Sequence, residues 1–124
     1  WDPVDPGGSD AYYEAVPMTD TKKFPDAKRA IASSGTPTIA PSGATFVSGA
    51  RWGTWDGALI VATLKGTSLR SFKLASGTGN LQNTGIALTG YGRLRSVTQG
   101  PDGDLYVPTD NGNGTDRILR LTPR

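Results

Sequence analysis

The hydrophobic pattern of the chain changes near residue 44. Downstream of it, apolar and β-branched residues come in short runs bounded by Gly, Pro and Asp, over 44–48, 58–65, 68–74, 86–89, 93–99, 104–109 and 117–122. Runs of this length, rich in Val, Ile, Leu, Thr and aromatics and punctuated by turn residues, predict β-strands. No long helical pattern interrupts them, so an all-β antiparallel arrangement is expected over an α/β one. Upstream, residues 1–43 read as an irregular N-terminal arm. Trp1-Asp2-Pro3-Val4-Asp5-Pro6-Gly7-Gly8 is turn chemistry, while Tyr12, Tyr13, Val16 and Met18 give the arm apolar surface to pack. A short helical piece is expected over 25–32, before Ser33-Ser34-Gly35 breaks it.

The strand pattern repeats. Asp56-Gly57-Ala58-Leu59-Ile60-Val61-Ala62-Thr63 aligns with Asp102-Gly103-Asp104-Leu105-Tyr106-Val107-Pro108-Thr109 at an offset of 46 residues. Beyond it, Leu69-Arg70 matches Leu119-Arg120 at an offset of 50, which places a longer loop in the second copy. A strand-built repeat of this length with Asp-Gly turns predicts β-propeller blades. The expected architecture is therefore about two four-stranded antiparallel blades in residues 44–124, behind the arm of residues 1–43. A propeller needs about four or more blades to close. The chain is thus expected to be part of a larger propeller, completed by blades of a parent chain or of other subunits; Trp1 in place of an initiator residue agrees with that.

Composition narrows the functional classes. A net charge of +2 with interspersed signs offers no basic patch, so nucleic acid is not an expected partner. The longest apolar run, 58–64, is too short to span a bilayer as a helix. Cysteine is absent, which removes disulfides and thiol chemistry, and histidine is absent, which removes the commonest general base and metal ligand.

The most specific chemistry lies in Thr89-Gly90-Tyr91-Gly92-Arg93-Leu94-Arg95. Side chains alternate along a strand, so Arg93 and Arg95 share a face about 7 Å apart. Such a pair beside glycines can seat a polycarboxylate, because guanidinium matches carboxylate bidentately. On spacing alone, two solvated arginines on an exposed strand face are the plainer alternative. Trp52 and Trp55 are read as packing between blades, ahead of stacking on a sugar. The run Asp110-Asn111-Gly112-Asn113-Gly114-Thr115-Asp116 puts glycine where a calcium loop wants oxygen, so it is read as a blade-connecting loop. Gly77-Thr78-Gly79-Asn80 is a turn, and Asp2, Asp5 and Asp10 are read as solvated.

Taken in order, 40–46, 55–66, 91–97 and 100–107 resemble the C-terminal part of the glucose/sorbosone dehydrogenase family, with the likeness good over 40–122 and looser in the arm. The resemblance implies a six-bladed propeller with pyrroloquinoline quinone (PQQ) at its mouth and calcium in the full-length parent. It also implies that a lysine after an apolar strand and an Arg-x-Arg pair hold the quinone. The matching positions are Lys65, Arg93 and Arg95. A small sugar would be the substrate, and the location would be secreted or periplasmic. The catalytic base of that family is a histidine from an earlier blade, and its calcium ligands also come from blades upstream. This chain would therefore supply part of a quinone site without catalytic or metal residues, and is expected to be inactive alone. The alternative is a non-catalytic propeller module for carbohydrate or protein binding, in which those cations only pair with local acids.

Overall fold

The structure, a computed structural model, describes residues 22, 24–28, 31–32, 34, 38–77 and 79–123. The chain divides into two units, Trp1–Ala30 and Ile31–Arg124. The turn chemistry at 1–8, the apolar residues Tyr12, Tyr13, Val16 and Met18, and the acids Asp2, Asp5 and Asp10 lie outside the described residues. In the first unit, Ala27 N–H donates to Phe24 O at 3.1 Å, closing a turn. The helical piece expected over 25–32 is absent among its described residues. Pro25 has no N–H to give and Gly35 soon follows, so little chain remains to propagate a helix.

The second unit is built of antiparallel strands. The first sheet orders β1 (Pro41–Phe46), β2 (Leu59–Thr63), β3 (Ser68–Leu74) and β4 (Leu81–Ala87) side by side, each paired with the next. The second orders β5 (Thr98–Gln99), β6 (Leu105–Pro108) and β7 (Ile118–Leu121). It has three strands among the described residues, one fewer than the expected four. β4 begins well before the run read at 86–89. Its first half, Leu81-Gln82-Asn83-Thr84-Gly85, is poor strand sequence, and pairing with β3 overrides that preference. In the 93–99 run only Thr98–Gln99 joins a ladder, with Leu94 making a single bridge to Thr109.

The core lies between the sheets. From the first sheet come Ile60, Ala62 and Leu69, with Val47 and Ala58; from the second come Leu105 and Val107; Leu94 and Val97 fill the seam. Ile60 and Ala62 are even-numbered, Leu105 and Val107 odd, although the repeat offset is even. The sheets therefore use opposite faces, as stacked blades do: each turns one face to the preceding neighbour and the other to the next. On the outer face of the first sheet, Phe46, Leu59 and Phe72 stand across from one another, as do Val61, Arg70 and Ile86. Phe46 is 70% exposed, Leu74 62% and Ile86 52%.

The register corrects one half of the repeat. The Asp-Gly strands superpose at 46 residues, but Ala62 stands opposite Leu69 and its counterpart Pro108 stands opposite Ile118. Leu69 therefore corresponds to Ile118, an offset of 49, and Arg70 corresponds to Leu119 instead of Arg120. Sequence identity at Leu-Arg suggested the wrong pairing because a one-residue slip exchanges faces without disturbing composition.

Trp52 and Trp55 sit in a 3₁₀ segment, Ala50–Trp55, between β1 and β2, with rings stacked at 6.0 Å and 6°. Trp52 Nε1 donates to Gly103 O at 2.9 Å, so this aromatic pair ties the first sheet to the Asp102-Gly103 turn of the second. On β6 and β7, Tyr106 hydroxyl donates to Asp102 Oδ2 at 2.6 Å, and Arg120 Nε donates to the buried Asp104 at 2.7 Å. The Tyr106 hydrogen bond holds the Asp102 carboxyl below the ordinary carboxylate range, helped by the Asp104 N–H and the Arg120 charge; the same bond raises the Tyr106 hydroxyl.

Two outcomes follow for stability. Leu94→Ala opens a cavity where both sheets meet and should cost about 2–5 kcal/mol in urea unfolding, whereas exposed Ile118→Ala should cost far less. Asp102 is depressed in the folded state, so its contribution is complete above the ordinary carboxylate range. It is lost as pH falls through the lowered folded value. Thermal unfolding followed from neutral to acid pH should therefore show a shallower acid decline in Asp102→Asn than in the parent.

Candidate functional site

Residues 93–95 run between the sheets and are bonded to both. Leu94 N–H donates to Thr63 O at the end of β2, at 3.2 Å. On the other side, Arg95 N–H donates to Pro108 O at 2.9 Å, and Asp110 N–H donates to Arg93 O at 2.8 Å. Arg95 O accepts from Gly43 N–H at 3.1 Å and from the Ser42 hydroxyl at 2.6 Å. With Leu94 fully buried, the alternation of an extended segment turns Arg93 and Arg95 together to the other side.

The two guanidiniums converge on one carboxylate. Arg93 Nη2 lies 3.3 Å from Asp110 Oδ2, and Arg95 Nη2 is hydrogen-bonded to the same oxygen. Arg93 Nε also donates to Asp110 O at 3.0 Å. Both side chains remain about half exposed, at 50% and 54%, with most of their N–H groups uncommitted among the described residues. The two arginines are thus partly solvated and partly paired with a local acid.

A second layer holds this fork. Asn111 clamps the glycine-rich approach: its Oδ1 accepts from Arg93 N–H at 2.8 Å and its Nδ2 donates to Tyr91 O at 2.9 Å. Gly92, at φ 80°, has Asn111 packed where a Cβ would stand. The glycine therefore admits a side chain of the same polypeptide. Asp116 in turn accepts from Asn111 N–H at 2.6 Å, Gly112 N–H at 3.2 Å and the Thr109 hydroxyl at 3.0 Å. The Asn111 N–H, with the Thr109 hydroxyl and Gly112 N–H, keeps the Asp116 carboxyl below its usual range. The run 110–116 joins β6 to β7 within one sheet, where the sequence suggested a connection between blades, and its last acid braces it.

Lys65 lies in the turn between β2 and β3, where its N–H donates to Ile39 O at 3.1 Å. It is exposed and makes no ion pair among the described residues. It follows Thr63, the residue bonded to Leu94, by two positions, so it occupies the same end of the sheets as the arginine fork. Asp110 and Asn111 were legible only as parts of a loop. Their signal was positional: the bridge of Leu94 to Thr109 makes the residues just after Thr109 the neighbours of Arg93.

This constellation can hold a carboxylate-bearing ligand by charge-assisted hydrogen bonds. Among the described residues there is no cluster of acids suited to a metal, and no helix long and apolar enough to cross a membrane.

Comparison with known proteins agrees on one lineage. A family model described as Glucose / Sorbosone dehydrogenase matches residues 2–120. An uncharacterized protein of Synechocystis sp. is 40% identical over 86 residues, 69% of this chain and 20% of that protein. Among solved structures, a candidate oxidoreductase (glucose dehydrogenase) of Thermus thermophilus is 36% identical with a TM-score of 0.54, covering 68% of this chain and 26% of that one. The soluble aldose sugar dehydrogenase of Escherichia coli, in its apo form, is 30% identical with a TM-score of 0.57, over 68% of this chain and 23% of that one. The chain spans about a fifth to a quarter of the length of these relatives. With the family model covering nearly all of the sequence, the chain belongs to the glucose/sorbosone dehydrogenase family.

Proposed function

We propose that this chain is the C-terminal part of a PQQ-dependent sugar dehydrogenase of the glucose/sorbosone type, in which Lys65, Arg93 and Arg95 grip the carboxylates of the quinone. The observation that carries the reading is the arginine fork itself: two half-exposed guanidiniums already share one carboxylate oxygen, that of Asp110. The donor set suits a polycarboxylate, because two guanidiniums share a single acid, Asp110, and the exposed Lys65 adds a cation with no ion pair among the described residues. When bound, the quinone supplies the hydride-accepting chemistry. The residues of this chain anchor and orient it, while the base that takes the sugar hydroxyl proton comes from outside a sequence with no histidine. Calcium would likewise be held by residues outside this chain, and the parent would be a secreted or periplasmic enzyme with a sugar as substrate.

The outer face of the first sheet supports further blades beside it. Arg70 Nε is buried with no hydrogen-bond acceptor among the described residues, and it stands on the apolar outer face of the first sheet. A buried orphan donor is costly. On this reading a preceding sheet covers Phe46, Val61 and Ile86 and brings an acceptor to Arg70.

The second reading, a non-catalytic propeller module, is favoured by the same Asp110, which pairs with both arginines without any ligand.

Calorimetric titration with PQQ separates the two. In the parent propeller, Arg93→Ala and Arg95→Ala should each weaken binding by roughly tenfold, the low end for a charge-assisted bond because both groups are half exposed. Lys65→Ala should weaken it less. Unchanged affinity in the double arginine variant would leave the module reading standing. For the covering sheet, hydrogen exchange at Val61 and Phe72 should be much slower in the assembled propeller than in the 124-residue chain; equal rates would mean the outer face stays bare.

A further inference from the structure

We propose that Asp110 is a positioning residue for the guanidinium pair: its carboxylate fixes Arg93 and Arg95 in the orientation in which their outer N–H groups receive a ligand carboxylate. The ligand half of this inference rests on the quinone reading above, while the positioning half does not.

Two arginines at alternate positions of an extended segment bring like charges close on long side chains with many rotamers. Left alone, they would spread and sample solvent. Asp110 opposes both tendencies at one point. Its Oδ2 lies between the Nη2 atoms of the two side chains, at 3.3 Å from Arg93 and hydrogen-bonded to Arg95. Its carbonyl oxygen takes Arg93 Nε at 3.0 Å, so Arg93 is held from two atoms of one residue.

Asp110 is itself held by more than the arginines. Its N–H is committed to Arg93 O at 2.8 Å, and the next residue is locked at both ends of its side chain and through its N–H to Asp116. Asp116 is gripped by three donors from the same loop. The loop is therefore a bracket that carries a carboxylate to a fixed place, and the arginines assemble on it. Preorganisation of this kind lowers the ordering cost that a ligand would otherwise meet.

The sign of the effect decides between positioning and a rival role. If Asp110 were only an internal competitor for the fork, removing its charge would free both arginines and tighten binding of an anion, most visibly at low salt. If it positions them, removal loosens the fork and weakens binding, with little change in salt dependence.

Two measurements test this on Asp110→Asn and Asp110→Glu. In the ¹⁵N-labelled 124-residue chain, the Nη2–H resonances of Arg93 and Arg95, the groups that meet Asp110 Oδ2, should be dispersed and slow to exchange. They should collapse toward solvent values in Asp110→Asn and recover in part in Asp110→Glu, while backbone amides of β2 and β3 stay put as evidence of folding. Arginine signals unchanged in Asp110→Asn would overturn the proposal. In the parent propeller, PQQ affinity should fall about tenfold in Asp110→Asn, and discrimination between PQQ and its carboxylate-esterified analogue should shrink. A tighter complex in Asp110→Asn would overturn the positioning role. Loss of arginine order in a protein that never bound PQQ would uphold Asp110 as positioner and remove the quinone reading instead.

Discussion

The fold and its candidate site both depend on residues 93–95, a piece of chain bonded on both edges to different sheets. Leu94 supplies the N–H that reaches Thr63 in the first sheet, while Arg93 and Arg95 exchange backbone bonds with Pro108 and Asp110 in the second. The buried Leu94 side chain anchors the seam in the common core. Because the segment is extended, burying Leu94 forces its two neighbours outward together. The arginine fork is therefore a geometric by-product of the joint that holds the sheets together. Displacing either sheet would displace the fork.

Much of this was legible in the sequence, and the reasons are particular. The Asp-Gly turns with the apolar alternation after them announced β2 and β6, since turn chemistry and strand period agree there. β3 matched the expected 68–74 span to the residue. The first half of β4 was not readable, because Gln82, Asn83 and Gly85 carry no strand signal and owe their conformation to β3. Third-strand correspondence between the repeats was misleading because Leu-Arg recurs in both copies one register apart, and only the cross-strand partners distinguish them.

The site was half legible. Alternation alone placed Arg93 and Arg95 on one face. What holds them could not be read, because Asp110, Asn111 and Asp116 lie 15 or more residues away along the chain from Arg95 and act through a loop whose closure is set by its own hydrogen bonds. Gly92 permits a close approach by Asn111, a packing partner that the sequence could not name.

The two copies of the repeat differ most in the connection after their Asp-Gly strand. The first turns within Leu64–Thr67, while the second extends from Thr109 to Arg117 before β7 begins. The strands themselves have little latitude, since their spacing and facing are dictated by neighbours on both sides. Loop length is where one copy could diverge from the other without unsettling the stack. In this chain the short connection displays a single cation and the long one carries a bracket of acids and amides. Duplication of a structural unit followed by growth at one rim is a simple route by which a uniform scaffold acquires an asymmetric mouth.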